Sequence, residues 1–182
     1  DLTEEEAFRI IDVLCDGFSV GKVAYYEILY LAKNCRYIKK AQVPFFLERL
    51  PVFLADPLTE DQKSARILGL ALDVYTAMHE YEEAENCLTE LEEKEVLCKF
   101  ALHSMIIFLI RTREYERAAK WIQSFYEAFG EDPYRPLIEK EEKDLLARKE
   151  GKYKDYMPLG ENAEKYVAYM EKRGFTFASA AS

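Results

Sequence analysis

The chain has 182 residues, of which 49% are hydrophobic and 14% aromatic, so it can bury a sizeable core in a single domain. Lysine and arginine number 25 against 34 aspartate and glutamate, and the resulting net charge of −9 disfavours binding to nucleic-acid phosphates. Seven glycines and six prolines are too few for an all-β protein rich in tight turns. We therefore expect one all-α domain over 1–182.

Cysteine usage predicts neither a metal site nor a cofactor. The four cysteines, at positions 15, 35, 87 and 98, form no CxxC pair and have no histidine at zinc-finger spacing. They are typical of buried thiols in a reducing compartment, so we expect a cytoplasmic or other intracellular protein. No signal peptide is visible, and the longest apolar run, 100–110, is shorter than the roughly 20 residues that cross a bilayer. Import into an organelle after removal of a targeting segment stays open as an alternative.

Apolar stripes and capping signals predict helices along the whole chain. The N-terminal part, 1–56, is expected to hold degenerate helices over about 3–16, 20–34 and 44–54. Thr59 and Gln62 have the capping-box spacing and open the first long helix. From there the predicted helices are 60–78, 81–94, 97–112, 115–129, 136–149 and 162–173.

The helix over 136–149 is expected to close the array. Its apolar residues form a single stripe, and Glu and Lys cover the rest of its surface. One solvated face is what a terminal element needs, so 131–182 is interpreted as C-terminal capping helices. The stripe consists of Leu137, Ile138, Leu145 and Leu146.

A short segment occurs twice at an offset of 34 residues. It is HEYEEA at 79–84 and REYERA at 113–118, and apolar residues follow both copies at matching positions. A period of this length is typical of helical hairpins that bury their apolar faces against copies of themselves. The sequence therefore predicts two repeat-like antiparallel hairpins over 57–130.

This pattern resembles the tetratricopeptide repeat family. In that family the second helix carries a small residue where the first helix crosses it closely, with an aromatic residue just before it. Tyr81 with Ala84, and Tyr115 with Ala118, match those positions. The resemblance covers about 65–130 and implies hairpins stacked as a short right-handed α-solenoid.

Two residues depart from the family's pattern. Leu72 and Ile106 stand where the first helix usually carries Gly or Ala. The helices are therefore expected to pack with an altered spacing or crossing angle. One alternative adds a further degenerate repeat unit over about 30–50. The alternative to the repeat interpretation as a whole is a plain helical bundle.

The resemblance implies that the first helices of the hairpins line a concave face that binds a partner. An apolar patch with a few polar anchors suits capture of a peptide or of a partner helix. Seven residues are predicted to bind the partner: Arg66, Asp73, Thr76, Phe100, His103, Ile107 and Ile110. Gly69 is assigned to the same face. For each apolar member, burial against neighbouring helices is the alternative.

One function known in the family is disfavoured. Some members hold the C-terminal carboxylate of heat-shock chaperones with Lys, Asn and Arg at set positions of the first helices. This chain has Gly69, Asp73 and Ser104 at three of them. Because the Asp73 carboxylate repels another carboxylate, this role is not expected.

The sequence thus predicts a non-catalytic protein-protein interaction module, an adaptor or chaperone-like protein. A fixed subunit of a larger assembly is one alternative. RNA binding is another, since 166–175 looks like the closing helix of a pentatricopeptide repeat and 33–40 is basic. No enzyme is predicted, because the two histidines lie in different helices and no phosphate-binding glycine loop or nucleophile motif is present.

Overall fold

A computed structural model describes residues 43–49, 59–94 and 97–177, together with four isolated helical positions, Glu5, Glu6, Arg9 and Val13. The rest of the N-terminal third lies outside the described residues, including nearly all of the helices predicted over 3–16 and 20–34. Throughout the described part the regular structure is α-helical, as predicted. Its helices are α1 (Val43–Arg49), α2 (Glu60–Ala77), α3 (Tyr81–Glu93), α4 (Lys99–Arg111), α5 (Tyr115–Phe129), α6 (Arg135–Lys149) and α7 (Glu161–Lys172).

Helices that follow one another in sequence pack against each other from α1 to α3 and from α4 to α6. In addition, α4 packs against α2 and α6, so the three alternate helices α2, α4 and α6 lie next to one another. The predicted capping box opens α2, since Gln62 N–H donates to Thr59 Oγ1 at 3.1 Å and Thr59 N–H donates to Gln62 Oε1 at 3.0 Å. The last helix, α7, turns back and packs against α3.

The α2–α3 and α4–α5 connections have the same backbone geometry. His79 and Arg113, 34 residues apart, both adopt a left-handed conformation with φ of 58° and 62°. The amide of the next residue then donates to the carbonyl five residues earlier, at 2.9 Å in the first connection and 2.8 Å in the second. This pattern satisfies the last carbonyls of a helix and is usually built with glycine. The repeated sequence therefore corresponds to a repeated turn.

The two alanines of the repeated segment lie in the core. Ala84 and Ala118 are both 0% exposed. Leu72 and Ile106, the larger residues that depart from the family pattern, are also 0% exposed. The predicted apolar positions of both hairpins thus face inward.

The helices α2 and α4 come close together at a residue that was predicted to lie on the partner-binding face. Gly69 is buried, and a Cβ added to it would lie 3.0 Å from Ala101 Cα and 3.2 Å from Ala101 Cβ. The absence of a side chain therefore lets the two helices meet. Assignment of Gly69 to the partner-binding face was wrong, because the backbone of α4 covers it.

The predicted apolar stripe of α6 is divided between core and solvent. Ile138 and Leu145 are 0% and 2% exposed, whereas Leu137 and Leu146 are 45% and 49% exposed. Nine residues of a helix correspond to about two and a half turns, so Leu137 and Leu146 point in opposite directions. The prediction of one continuous stripe was wrong for these two leucines.

Aromatic side chains hold α7 against α3. The ring of Tyr81 meets that of Tyr166 edge-on at 5.5 Å and stacks on that of Tyr169 at 5.4 Å. The Tyr166 hydroxyl donates to the Arg111 carbonyl at the end of α4 at 2.5 Å. Tyr166 is 0% exposed, so this contact fixes α7 to both hairpins.

Because the side chains of these tyrosines are buried, we expect the protein to lose stability in alkaline solution. Burial raises the pKa of Tyr81 and Tyr166 above the ordinary 10.0, and it raises the pKa of Tyr169 to about 12. Because the unfolded chain loses these protons at lower pH, the stabilisation is complete below pH 10 and is lost as the pH rises through the folded-state values. Urea midpoints should therefore fall above about pH 10 as tyrosinate absorbance appears, and a constant midpoint would contradict the account.

Candidate partner-binding face

The helices α2, α4 and α6 share one open side. Side chains three, four and seven residues apart lie on the same side of a helix, which places the predicted residues of α4 opposite residues of α6. We call this side the central face. Helical spacing assigns to it Arg66, Asp73, Phe100, His103, Ile107, Arg111, Leu137, Glu141, Asp144 and Arg148.

A histidine joins α4 to α6 at one end of the central face. His103 Nδ1 lies 2.6 Å from the Tyr134 hydroxyl, and His103 Nε2 lies 3.5 Å from Glu141 Oε1. The tautomer with its hydrogen on Nε2 satisfies both contacts, because Nδ1 then accepts from Tyr134 and Nε2 donates to Glu141. The side chains of His103 and Glu141 are 18% and 20% exposed, so they are accessible at their edges.

Tyr134 is held in this cluster by the connection that precedes α6. The Tyr134 amide donates to Asp132 Oδ1 at 2.8 Å, and Lys99 Nζ donates to the same carboxylate at 3.1 Å. These bonds lower the pKa of Asp132, the backbone amide having the larger effect. Burial raises the pKa of the Tyr134 phenol, which therefore stays protonated and able to donate to His103.

Charged groups of α2 are bound to α4 across the same face. The Arg66 guanidinium lies 4.6 Å from the centroid of the Phe100 ring, a cation–π distance. Ser104 Oγ donates to Asp73 Oδ2 at 3.0 Å. The edge of the Phe100 ring packs on Tyr134 at 5.3 Å, which extends the aromatic surface to α6. Polar and apolar groups therefore alternate over three helices.

A cleft of about 220 Å³ lies between α4 and α6 at the other end of the central face. Arg148 Nε donates to Asp144 Oδ2 at 2.9 Å, and Arg148 Nη1 donates to the Lys154 carbonyl. The Arg111 guanidinium lies 5.3 Å from the Tyr156 ring centroid. The cleft is lined by Ile107, Ile110, Arg111, Glu141, Asp144, Arg148 and Tyr156.

The structure brings five of the seven predicted partner-binding residues to the surface of the central face, all of them half-buried: Arg66, Asp73, Phe100, His103 and Ile107. Thr76 is 6% exposed, and its hydroxyl donates to the Leu72 carbonyl at 2.6 Å, so it offers almost no surface. Ile110 is 3% exposed and forms part of the floor of the cleft. Thr76 was predicted to bind a partner but is too buried to do so, whereas Ile110 is buried, the alternative stated for it, and still lines the cleft.

Three residues of the central face, and Tyr134 beside it, were missed although the sequence contained a signal for them. One further step of 34 residues from each predicted position of α4 leads to α6 or to the residue before it. The steps from Phe100, His103, Ile107 and Ile110 lead to Tyr134, Leu137, Glu141 and Asp144. Treating 131–182 only as a cap concealed this continuation. Tyr156, which follows α6, has no such signal.

A second concavity, of about 290 Å³, lies between α3 and α7. Ion pairs cross it, since Lys172 Nζ donates to Glu82 Oε1 at 2.8 Å and Arg173 Nε lies 3.7 Å from Glu85 Oε1. On the α3 side, His79 Nδ1 lies 2.8 Å from the Tyr81 hydroxyl. Burial, and then the charges of Lys165 and Arg111, lower the pKa of His79. The concavity is already bridged by polar contacts, which makes it a poorer site for a partner than the central face.

The described part of the chain is an all-α protein with a mixed aromatic and polar face across three helices. Neither a family model, nor a curated protein, nor a solved structure matches the chain. Among the described residues no three His, Cys, Asp or Glu side chains are grouped so that they could hold a metal ion. In the same part, none of the helices is both long and apolar enough to span a membrane.

Proposed function

We propose that the protein is a non-catalytic interaction module, adaptor-like or chaperone-like, that binds a peptide or helix of a partner protein on the central face. In this proposal its hairpins stack as a short right-handed, tetratricopeptide-like α-solenoid, and the central face is the concave side of the stack. Aromatic and aliphatic side chains provide affinity, and Arg66, Asp73 and His103 orient the partner.

The arrangement of the helices supports the stacking. Two connections share one geometry at the spacing of the repeated sequence, with left-handed residues at His79 and Arg113. Alternate helices α2, α4 and α6 pack beside each other, as the first helices of stacked hairpins do. The close approach of Gly69 to Ala101 joins the first two of these helices.

The observation that carries the function is the composition of the central face. Phe100 and Ile107 are half-buried beside polar groups already engaged within the protein, and Leu137 is 45% exposed. Partly exposed anchors surrounded by ordered polar groups are typical of surfaces that bind proteins, because affinity comes from a few large side chains within a polar rim. On a surface exposed only to water, these apolar side chains would not contribute to binding.

A matched pair of leucines tests the function. We expect Leu137→Glu, on the central face, to reduce recovery of bound proteins about tenfold or more, since it places a charge where a partner would bury an apolar group. Leu146→Glu makes the same change on the same helix, at a similarly exposed leucine that points the other way. Affinity purification from the source cells with quantitative mass spectrometry gives the measurement.

Recovery of the same proteins in the same amounts by both variants would overturn binding on the central face. Loss with Leu146→Glu but not with Leu137→Glu would move the partner to the opposite side of α6. Thermal unfolding of both variants controls for folding, and it should differ little because each leucine is about half exposed.

One observation favours a second candidate, a fixed subunit of a larger assembly. The connection between α6 and α7 exposes three large apolar side chains within seven residues: Tyr153 at 58%, Met157 at 40% and Leu159 at 89%. Such a cluster is costly on a protein that stays alone in solution. If this candidate is correct, the isolated chain should self-associate, and Leu159→Ser should reduce that association in sedimentation experiments.

A further inference from the structure

We propose that the cleft between α4 and α6 binds an extended partner segment, that it takes an aliphatic side chain of that segment, and that Arg111 binds a carboxylate next to it. This inference rests on the function proposed above and names the chemistry of the partner at one end of the same face.

The floor of the cleft selects an aliphatic side chain. Ile107 and Ile110 form the apolar bottom, and the Tyr156 ring forms a wall. The volume of about 220 Å³ is below the range of about 300–1,000 Å³ found for sites of drug-sized ligands. The cleft is therefore suited to one or two side chains and not to a whole cofactor.

The charges of the cleft leave one cation available. The guanidinium of Arg148 is bonded to Asp144 and to the Lys154 carbonyl, and the carboxylate of Glu141 lies against His103. By contrast, the Arg111 guanidinium makes no ion pair or hydrogen bond with any side chain in the described ranges, and it lies over Tyr156. A guanidinium beside an aromatic ring and an apolar floor is a strong site for bidentate binding of a carboxylate.

The cleft is also polarised along its length. Glu141, which contacts His103, lines one end, and Arg111 with Arg148 lines the other. Seven residues of α6 separate Glu141 from Arg148, a rise of about 10.5 Å. An extended chain covers that distance in about three or four residues. A short segment with an aliphatic residue in its middle and an acidic residue toward Arg111 is complementary to the whole cleft.

The probe that tests this is a phage-displayed library of random 12-residue peptides selected on the complete chain. We expect the enriched peptides to share Leu, Ile, Val or Met within three positions of Asp or Glu, as the polarised cleft requires. Synthesised with a fluorescent label, such a peptide should bind Arg111→Gln about tenfold more weakly than wild type. Its Glu→Gln analogue should bind both proteins equally.

Lys143→Gln is the matched control, because it removes one positive charge from an exposed position of α6. It should bind the acidic peptide as wild type does. Equal binding of the acidic peptide to Arg111→Gln and wild type, or enrichment of peptides without an acid, would overturn the role of Arg111. The proposed function would survive those results if the same peptides fail to bind Ile107→Glu. If every enriched peptide binds wild type and Ile107→Glu equally, or if no peptide is enriched, both proposals are contradicted.

Discussion

Replacing Tyr166 with alanine is expected to lower the free energy of unfolding by about 3–5 kcal/mol, the range for large aromatic side chains in cores. Tyr166 is 0% exposed, and its ring contacts Tyr81, Tyr156 and Phe177 while its hydroxyl reaches Arg111. The substitution thus removes the contact at which four segments meet. A loss of this size is at least about a fifth of the stability of a typical domain, which is about 5–15 kcal/mol.

Tyr166→Phe separates the hydroxyl from the ring. It keeps the aromatic contacts and removes only the bond to the Arg111 carbonyl, so we expect a loss of about 1 kcal/mol. Urea denaturation of the two variants provides the free energies, and hydrogen exchange of the α7 amides shows whether that helix detaches before the rest unfolds. An alanine variant as stable as the phenylalanine variant would show that the ring contributes little.

Enlarging the repeated alanines is expected to destabilise the protein by similar amounts at the two sites. Ala84→Leu and Ala118→Leu each force a larger side chain into a position that is 0% exposed, at a cost of about 1–3 kcal/mol. Ala128→Leu is the control, because Ala128 lies on the same helix as Ala118 and is exposed.

The difference between the losses of stability at positions 84 and 118 tests whether the two positions are equivalent. If 84 and 118 are equivalent positions of stacked hairpins, their losses should agree within about 0.5 kcal/mol, the usual error of additive comparisons, while Ala128→Leu changes little. A large loss at one site and none at the other would contradict the equivalence. Thermal and urea unfolding supply the measurement.

The sequence analysis located the helices well because their signals are local. The predicted bounds of α2 to α7 agree with the structure to within two residues at every end, and the capping box at Thr59 is present. Helix ends depend on caps, glycines and prolines within one turn, all of which can be read along the chain. Phe100, His103 and Ile107 were assigned to the face by the resemblance to the tetratricopeptide repeat family, which itself rests on this local period.

The sequence did not indicate which helix packs against each apolar stripe. A helix was predicted over 162–173, but nothing in the spacing of Tyr166 and Tyr169 indicated that Tyr81 would be their partner. In the same way Gly69 was assigned to the partner-binding face, although α4 packs closely against it. Such contacts join residues far apart in sequence, and periodicity within one helix carries no information about them. The position of Tyr156 in the cleft could not be predicted for the same reason.

The return of α7 to α3 has a consequence for how the chain is made. Lys172 and Glu82, which form an ion pair between these helices, are 90 residues apart in sequence. A row of hairpins in contact only with their neighbours can fold step by step as it leaves the ribosome. Here the aromatic edge of the α2–α3 hairpin at Tyr81 stays uncovered until α7 has been synthesised, so this hairpin is completed only by a segment that lies about 90 residues further along the chain.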